Sequence, residues 1–336
     1  MDASGPFLVL PTKRGAVPTL TPAQANTILE PSERILATSV FEAMDFVKPC
    51  IEARMPLSTY CGLSGYKTVL TLRSSFNGLH ASGLSTDSAV AGDNAKGRVV
   101  VSFEKWRDVV RATQPTLAVT VHESVPLCES LNKRRRVATN RSETWLAKTE
   151  KTSDLGCTIL PTISAGHAHD GGYIDAVPRG ENSYEFFQTL QALQLSPKKC
   201  TMCIAPSLSA LLASMVSNVS LIECPLPWTL AEKGVALYLP LKDAMATVPE
   251  PLAPLLDLND NMYALDINPI ADGCSCFTCK RHCRAYLHHL LTVQEMNSEI
   301  LLVIHNLAQV VLLVRTYRCA DAPTREALVS RVASAL

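Results

Sequence analysis

Residues 201–223 read TMCIAPSLSALLASMVSNVSLIE. Met202–Ala205 is a short apolar run, and Val219–Glu223 is another. Between them Ser207–Ser217 has the length and pattern of an amphipathic helix. Ser207 stands at its start, just after Pro206, where a hydroxyl satisfies the first free N–H groups. Strand, helix and strand in this order form a parallel βαβ unit, because parallel neighbours need a crossover that a helix supplies. The alternation continues in both directions. Candidate strands are Thr68–Leu72, Arg98–Ser102, Leu117–Val121, Thr158–Ile163, Tyr173–Val177 and Ala236–Leu239. Candidate helices are Glu104–Thr113, Pro126–Thr149 and Ser183–Leu195. About eight strands in one α/β chain favour a closed (β/α)8 barrel over an open sheet.

The pattern changes after Leu239. Pro249, Pro251, Pro254 and Pro269 punctuate an irregular connection, residues 247–269. A cysteine cluster follows, then helical stretches at Arg284–Met296 and Ser298–Tyr317 and a last helix from Ala322 onward. The expected organisation is the main part of the barrel in 1–246, a linker with a zinc-binding loop and helices in 247–318, and a C-terminal helix in 319–336.

Composition narrows the function classes. The chain has 336 residues, 47% hydrophobic and 18% charged, which provides for a sizeable core. Lys+Arg and Asp+Glu are both 31. A protein wrapped in nucleic acid is usually basic overall, so any RNA contact must come from a local patch or a partner chain. The run Lys133-Arg134-Arg135-Arg136 offers such a patch, or a nuclear-import signal, or a solvated helix face. Phe7–Leu10 is too short for a secretory segment. Ile300–Val314 is the most apolar stretch, but His305, Asn306 and Gln309 interrupt it, which argues against an integral membrane segment. Twelve cysteines with no export signal point to reduced thiols and a metal site, and to the cytoplasm. Peripheral contact with the mitochondrial outer membrane and nuclear entry stay open.

The metal reading is sharp. Gly273-Cys274-Ser275-Cys276-Phe277-Thr278-Cys279 aims three thiols from one tight loop, and His305 lies on a helix that follows. Zn²⁺ prefers four N/S ligands, and four protein ligands leave no position for a reacting water, so the site is structural. His282, Cys283, His288 and His289 compete with His305 for the fourth corner. Cys200 and Cys203 form an isolated C-x-x-C and read as core thiols.

Cys274-Ser-Cys276-Phe-Thr-Cys279, Arg284-Ala-Tyr-Leu-His-His-Leu-Leu and Ile300-Leu-Leu-Val-Ile-His305-Asn306-Leu307 together resemble the C-terminal end of the tRNA-guanine transglycosylases. The resemblance implies a (β/α)8 barrel with a zinc subdomain, one structural zinc per chain, and exchange of anticodon guanine for a deazaguanine, queuine in eukaryotes. It also implies that residues 284–318 take part in a subunit interface, consistent with their many apolar side chains. Three places point to a non-catalytic, accessory form with no catalytic residue of its own. The family's nucleophilic Asp and following Pro-Thr-Arg correspond to Glu223-Cys-Pro-Leu-Pro-Trp228-Thr. Its Asp-Ser-Gly-Gly-Phe-Gln is matched only by Asp87-Ser-Ala-Val-Ala-Gly92. Its Gly-Gly-Leu seat for the base appears as Ala176-Val177-Pro178, and a proline has no N–H to offer. Leu8 to Thr21 likewise resembles the accessory form. The resemblance then implies a heterodimer with a catalytic queuine tRNA-ribosyltransferase subunit, acting on tRNA. Two alternatives stand beside it: an active transglycosylase using Glu223 and Asp87, and a tRNA-binding scaffold. Trp228 reads as a packed aromatic rather than a base-stacking one.

Overall fold

The computed structural model describes residues 5–76, 85–124, 132–152, 154–163, 171–175, 183–239 and 254–334. The chain forms two compact units, one of residues 1–17 and 31–224, the other of residues 18–30 and 225–336.

The first unit is the barrel. Its parallel strands are Phe7–Pro11, Ile35–Ser39, Lys67–Thr71, Leu117–Val119, Thr158–Leu160 with Thr162–Ile163, Gly172–Ile174, Thr201–Ile204 and Leu221–Glu223. Each pairs with the next, and the last returns to the first through Phe7↔Leu221 and Val9↔Glu223. Thr158–Leu160 pairs with Leu117–Val119, while Thr162–Ile163 pairs with Gly172–Ile174. These two short segments are one stretch of chain broken at Pro161, which has no N–H but whose carbonyl accepts from Tyr173 N at 2.7 Å. Nine short strands therefore close a ring of eight.

Alternate side chains fill the ring. Val9, Ile35, Ala37, Val69, Leu117, Val119, Leu160, Tyr173, Met202, Ile204 and Leu221 pack together inside it. Residues of the other parity, among them Leu70 and Ala118, pack outward with Phe41, Trp106, Val110 and Trp145. Being buried on both faces, these strands read as continuous apolar runs. Helix Phe103–Thr113 shows the local logic. Ser102 caps it by accepting from Lys105 N, and Phe103, Trp106, Val109, Val110 and Thr113 form its buried face.

Two of the eight expected strands belong elsewhere. Arg98–Ser102 lies in Gly97–Ser102, which pairs antiparallel with Ala89–Asn94 in a separate hairpin. Ala236–Leu239 corresponds to Val235–Leu237, which pairs antiparallel with Leu255–Asp257 in the second unit. A short apolar run records burial and not the direction of its partner. Two barrel strands, Phe7–Pro11 and Ile35–Ser39, carried too weak a pattern. The second ends in Thr38 and Ser39, which are polar yet buried, so the apolar signal fades where the strand continues.

The second unit is mainly helical: Pro22–Ile28, Leu226–Glu232, Phe277–Arg281, Arg284–Thr292, Met296–Cys319 and Ala322–Ser334. Thr21 and Gln24 form a reciprocal capping box at the first of these. Met296–Cys319 is long and apolar enough by composition to cross a membrane, but 72% of its most apolar window is buried in the protein, as in a core helix. Leu301, Leu302, Ile304, Leu307, Val310, Val311 and Leu313 are all buried. Much of the apolar surplus in 284–318 is thus used inside the chain, while Tyr286, Val293, Met296 and Leu312 are exposed, at 40%, 51%, 82% and 36%.

Candidate metal centre and barrel mouth

Gly273 adopts φ 66°, a left-handed conformation that suits glycine, and lets the loop turn so that Cys274 N donates to Ala271 O. Cys276 then caps helix Phe277–Arg281, its sulfur accepting from Cys279 N at 3.3 Å. That cap places Cys276 and Cys279 side by side, one turn apart. Thr278 points the other way and ties the short helix to Leu301 O at 2.6 Å.

His305 comes from the middle of Met296–Cys319 and is fully buried. Its Nδ1 lies 4.0, 3.6 and 3.2 Å from the sulfurs of Cys274, Cys276 and Cys279. The four ligand atoms all lie within 4.8 Å of one another and form a site that could hold a metal ion. His305 Nε2 donates to Leu237 O at 2.7 Å, which leaves Nδ1 with its lone pair toward the thiols. Gln309 donates from Nε2 to Cys274 Sγ at 3.4 Å and accepts at Oε1 from Leu239 N. Asn306 accepts from Leu237 N at 2.7 Å and donates to Val235 O at 3.0 Å. The three polar residues that interrupt the apolar run therefore do one job. They fasten strand Val235–Leu237 and a metal site to a buried helix.

The thiols are electrostatically coupled. Hydrogen bonds from Cys276 and Cys279 hold the Cys274 thiol well below the ordinary thiol range, and Cys279 is driven upward in turn by its contact with Cys274. The competing fourth ligands lie outside the cluster. His288 contacts Leu258 O through Nδ1, His282 stacks on Tyr286 at 5.0 Å between centroids, and His289 is exposed. Cys203 is a core thiol against Ser214 Oγ, and burial pushes it up to about 12.

In the barrel unit, strand ends gather polar groups at the C-terminal mouth, where barrel sites lie. Glu223 closes the eighth strand and is 1% exposed. Burial raises its carboxyl to about 7. The approach of the Ser75 hydroxyl and backbone works against that rise, and Glu42 adds to it. Its Oε2 has no hydrogen-bond partner, and no Lys or Arg pairs with it among the described residues. His122 is buried, held through Nδ1 to Thr120 O at 2.9 Å, with Nε2 3.9 Å from Asp175 Oδ1. Burial keeps that imidazole below its ordinary range, against the pull of Asp175. Ser124 donates to Asp175 at 3.0 Å. Neither His122 nor Asp175 carried a motif that would have singled it out.

Asp87 is not beside Glu223. It forms a 2.8 Å ion pair with Arg141, and its side chain is 92% exposed. Gly92 sits where an added Cβ would fall 2.3 Å from the Phe41 ring, so that glycine serves packing. Ala176, Val177 and Pro178 lie outside the described residues. In the second unit, Trp228 is buried and donates to Pro18 O at 2.9 Å, a packed aromatic.

Fold and site together define a closed parallel barrel followed by a helical unit with a Cys3His metal-type cluster. The chain belongs to the queuine tRNA-ribosyltransferase family, whose family model matches residues 3–321. It is 24% identical over 331 residues to a Drosophila grimshawi protein named queuine tRNA-ribosyltransferase accessory subunit 2, covering 90% of this chain and 79% of that one. It is 23% identical to the proteins of that name from Drosophila melanogaster and Anopheles gambiae, covering 90% of this chain and 79% and 77% of theirs.

Proposed function

We propose that this chain is the non-catalytic accessory subunit of a queuine tRNA-ribosyltransferase, pairing with a catalytic subunit that exchanges anticodon guanine in tRNA for queuine. The observation that carries the reading is the state of Glu223. Base exchange at a ribose needs an ionised carboxylate free to attack C1′ and a second group to manage protons on the base. Glu223 is 1% exposed, its Oε2 has no hydrogen-bond partner, and burial disfavours its ionised form. Asp87 is paired to Arg141 at the surface. The two groups therefore make no working pair.

We take the metal to be one structural Zn²⁺ per chain. A tetrahedral ion with sulfur at about 2.3 Å and nitrogen at about 2.05 Å separates the two by about 3.6 Å. The observed Sγ–Nδ1 distances of 3.2 to 4.0 Å bracket that value. A donor set of three thiols and one imidazole suits zinc, and with all four corners filled the ion would fix the loop to the core helix.

Exposed apolar residues in the same unit support a partner chain. Leu265 is 90%, Ile267 83% and Met262 70% exposed, and they precede a loop whose Phe277, His282 and Tyr286 form an exposed or half-buried aromatic run. Interface cores favour such aromatic and aliphatic residues over charged ones. A cytoplasmic location, with the thiols kept reduced, completes the proposal.

The test is co-expression with and without a catalytic subunit, followed by sizing and a labelled-guanine exchange assay. The chain alone is expected to give no exchange. The heterodimer is expected to exchange and to tolerate Glu223→Ala. Robust exchange by the isolated chain would overturn the reading in favour of an active transglycosylase.

A further inference from the structure

The helix Asn132–Glu150 opens its described length on a run of cations. Its first turns carry Lys133, Arg134, Arg135 and Arg136, with no acidic residue in the first turn. Like charges three residues apart on a helix repel, so Lys133 and Arg136 disfavour each other. Lys133 and Arg136 are exposed and make no ion pair among the described residues. Nothing within the helix rewards them.

The helix is nonetheless firmly seated about one to three turns further on. Arg141 bonds Glu123 and Asp87 at 2.8 Å each, Ser142 Oγ accepts from Glu123 N, and Trp145 is fully buried. Glu123 lies four residues beyond the end of the fourth barrel strand at Val119, on the mouth side. From the level of Glu123 the chain runs on to the start of the next strand at Thr158, at the other end of the barrel. Lys133 and Arg136, five to eight residues before Arg141, therefore stand about 8–12 Å further out, beyond the rim of the mouth. The loop after the first strand adds exposed Lys13 and Arg14 to the same rim.

We infer that Lys133 and Arg136, projecting past the barrel rim on a helix anchored through Arg141 and Trp145, form a contact for the phosphate backbone of RNA. The inference rests on the accessory-subunit reading, under which the RNA is the tRNA bound by the heterodimer. It also explains how a chain of zero net charge meets a polyanion: the cations are concentrated at one rim.

The probe is unmodified tRNA bound to the heterodimer, followed by fluorescence anisotropy from 50 to 200 mM salt. Each phosphate contact contributes about 0.7–0.9 to the slope of log K against log salt. Lys133→Gln/Arg136→Gln is expected to make that slope shallower by about 1.4–1.8. The same variant is expected to unfold at an unchanged or higher temperature, since it removes two like charges that repel across one helical turn. The charge-matched control Lys67→Gln/Lys198→Gln, at the opposite end of the barrel strands, is expected to leave the slope alone. An unchanged slope in the rim variant, or an equal effect from the control, would overturn the inference. Should no heterodimer form, the accessory reading fails, and the same titration on the chain alone decides the rim contact.

Discussion

Glu223→Gln tests the buried carboxyl directly. In the folded chain this group is raised from the ordinary 4.5 to about 7, chiefly by burial. The folded state therefore holds its proton longer than the unfolded state. Between about pH 4.5 and 7 the folded chain binds more protons, so stability falls as pH rises through that window and levels off above it. A displacement of this size is worth about 3 kcal/mol, at about 1.4 kcal/mol for each tenfold change in the proton equilibrium. Gln keeps the shape and cannot ionise. At pH 4 the two proteins should be similar in stability. At pH 8 the variant should be more stable by up to about 3 kcal/mol. The assay is denaturant unfolding from pH 4 to 9, read from Trp106 and Trp145, which are buried in the same unit as Glu223. The difference between the two profiles should open across pH 4.5–7. Parallel profiles would refute the raised carboxyl, and with it the argument that Glu223 is unfit as a nucleophile. A folded Gln variant whose heterodimer loses exchange would refute the non-catalytic role from the other side.

The remaining expectations concern the second unit. Cys276→Ser/Cys279→Ser should lose stoichiometric zinc by mass-spectrometric metal analysis and expose helix Arg284–Thr292 to hydrogen exchange, because structural zinc contributes about 10–16 kcal/mol of apparent free energy in small motifs. Full zinc retention would dismiss the site. Leu265→Glu/Ile267→Glu should leave the isolated chain folded, since both side chains are exposed, yet abolish heterodimer formation on sizing. An intact heterodimer would move the partner surface elsewhere.

Sequence alone reached the barrel through units such as residues 201–223, where a buried strand, a capped helix and a second buried strand follow each other at fixed lengths. It reached the metal cluster because Cys274, Cys276 and Cys279 fall within six residues, and because His305 breaks an apolar helix that has no other reason to hold it. These signals are local, and local chemistry survives in a linear string. Pairing does not. Gly97–Ser102 and Val235–Leu237 read like barrel strands, and only their antiparallel partners exclude them from the ring. Ile35–Ser39 belongs to the ring although Thr38 and Ser39 are polar, because the fold buries their hydroxyls. Tertiary structure also decided what each polar group does. Leu237 O orients His305, Arg141 draws Asp87 to the surface, and a closed barrel strips Glu223 of water. Each of these depends on atoms brought together from distant parts of the chain, and desolvation and direction, which set their chemistry, exist only once the chain has folded.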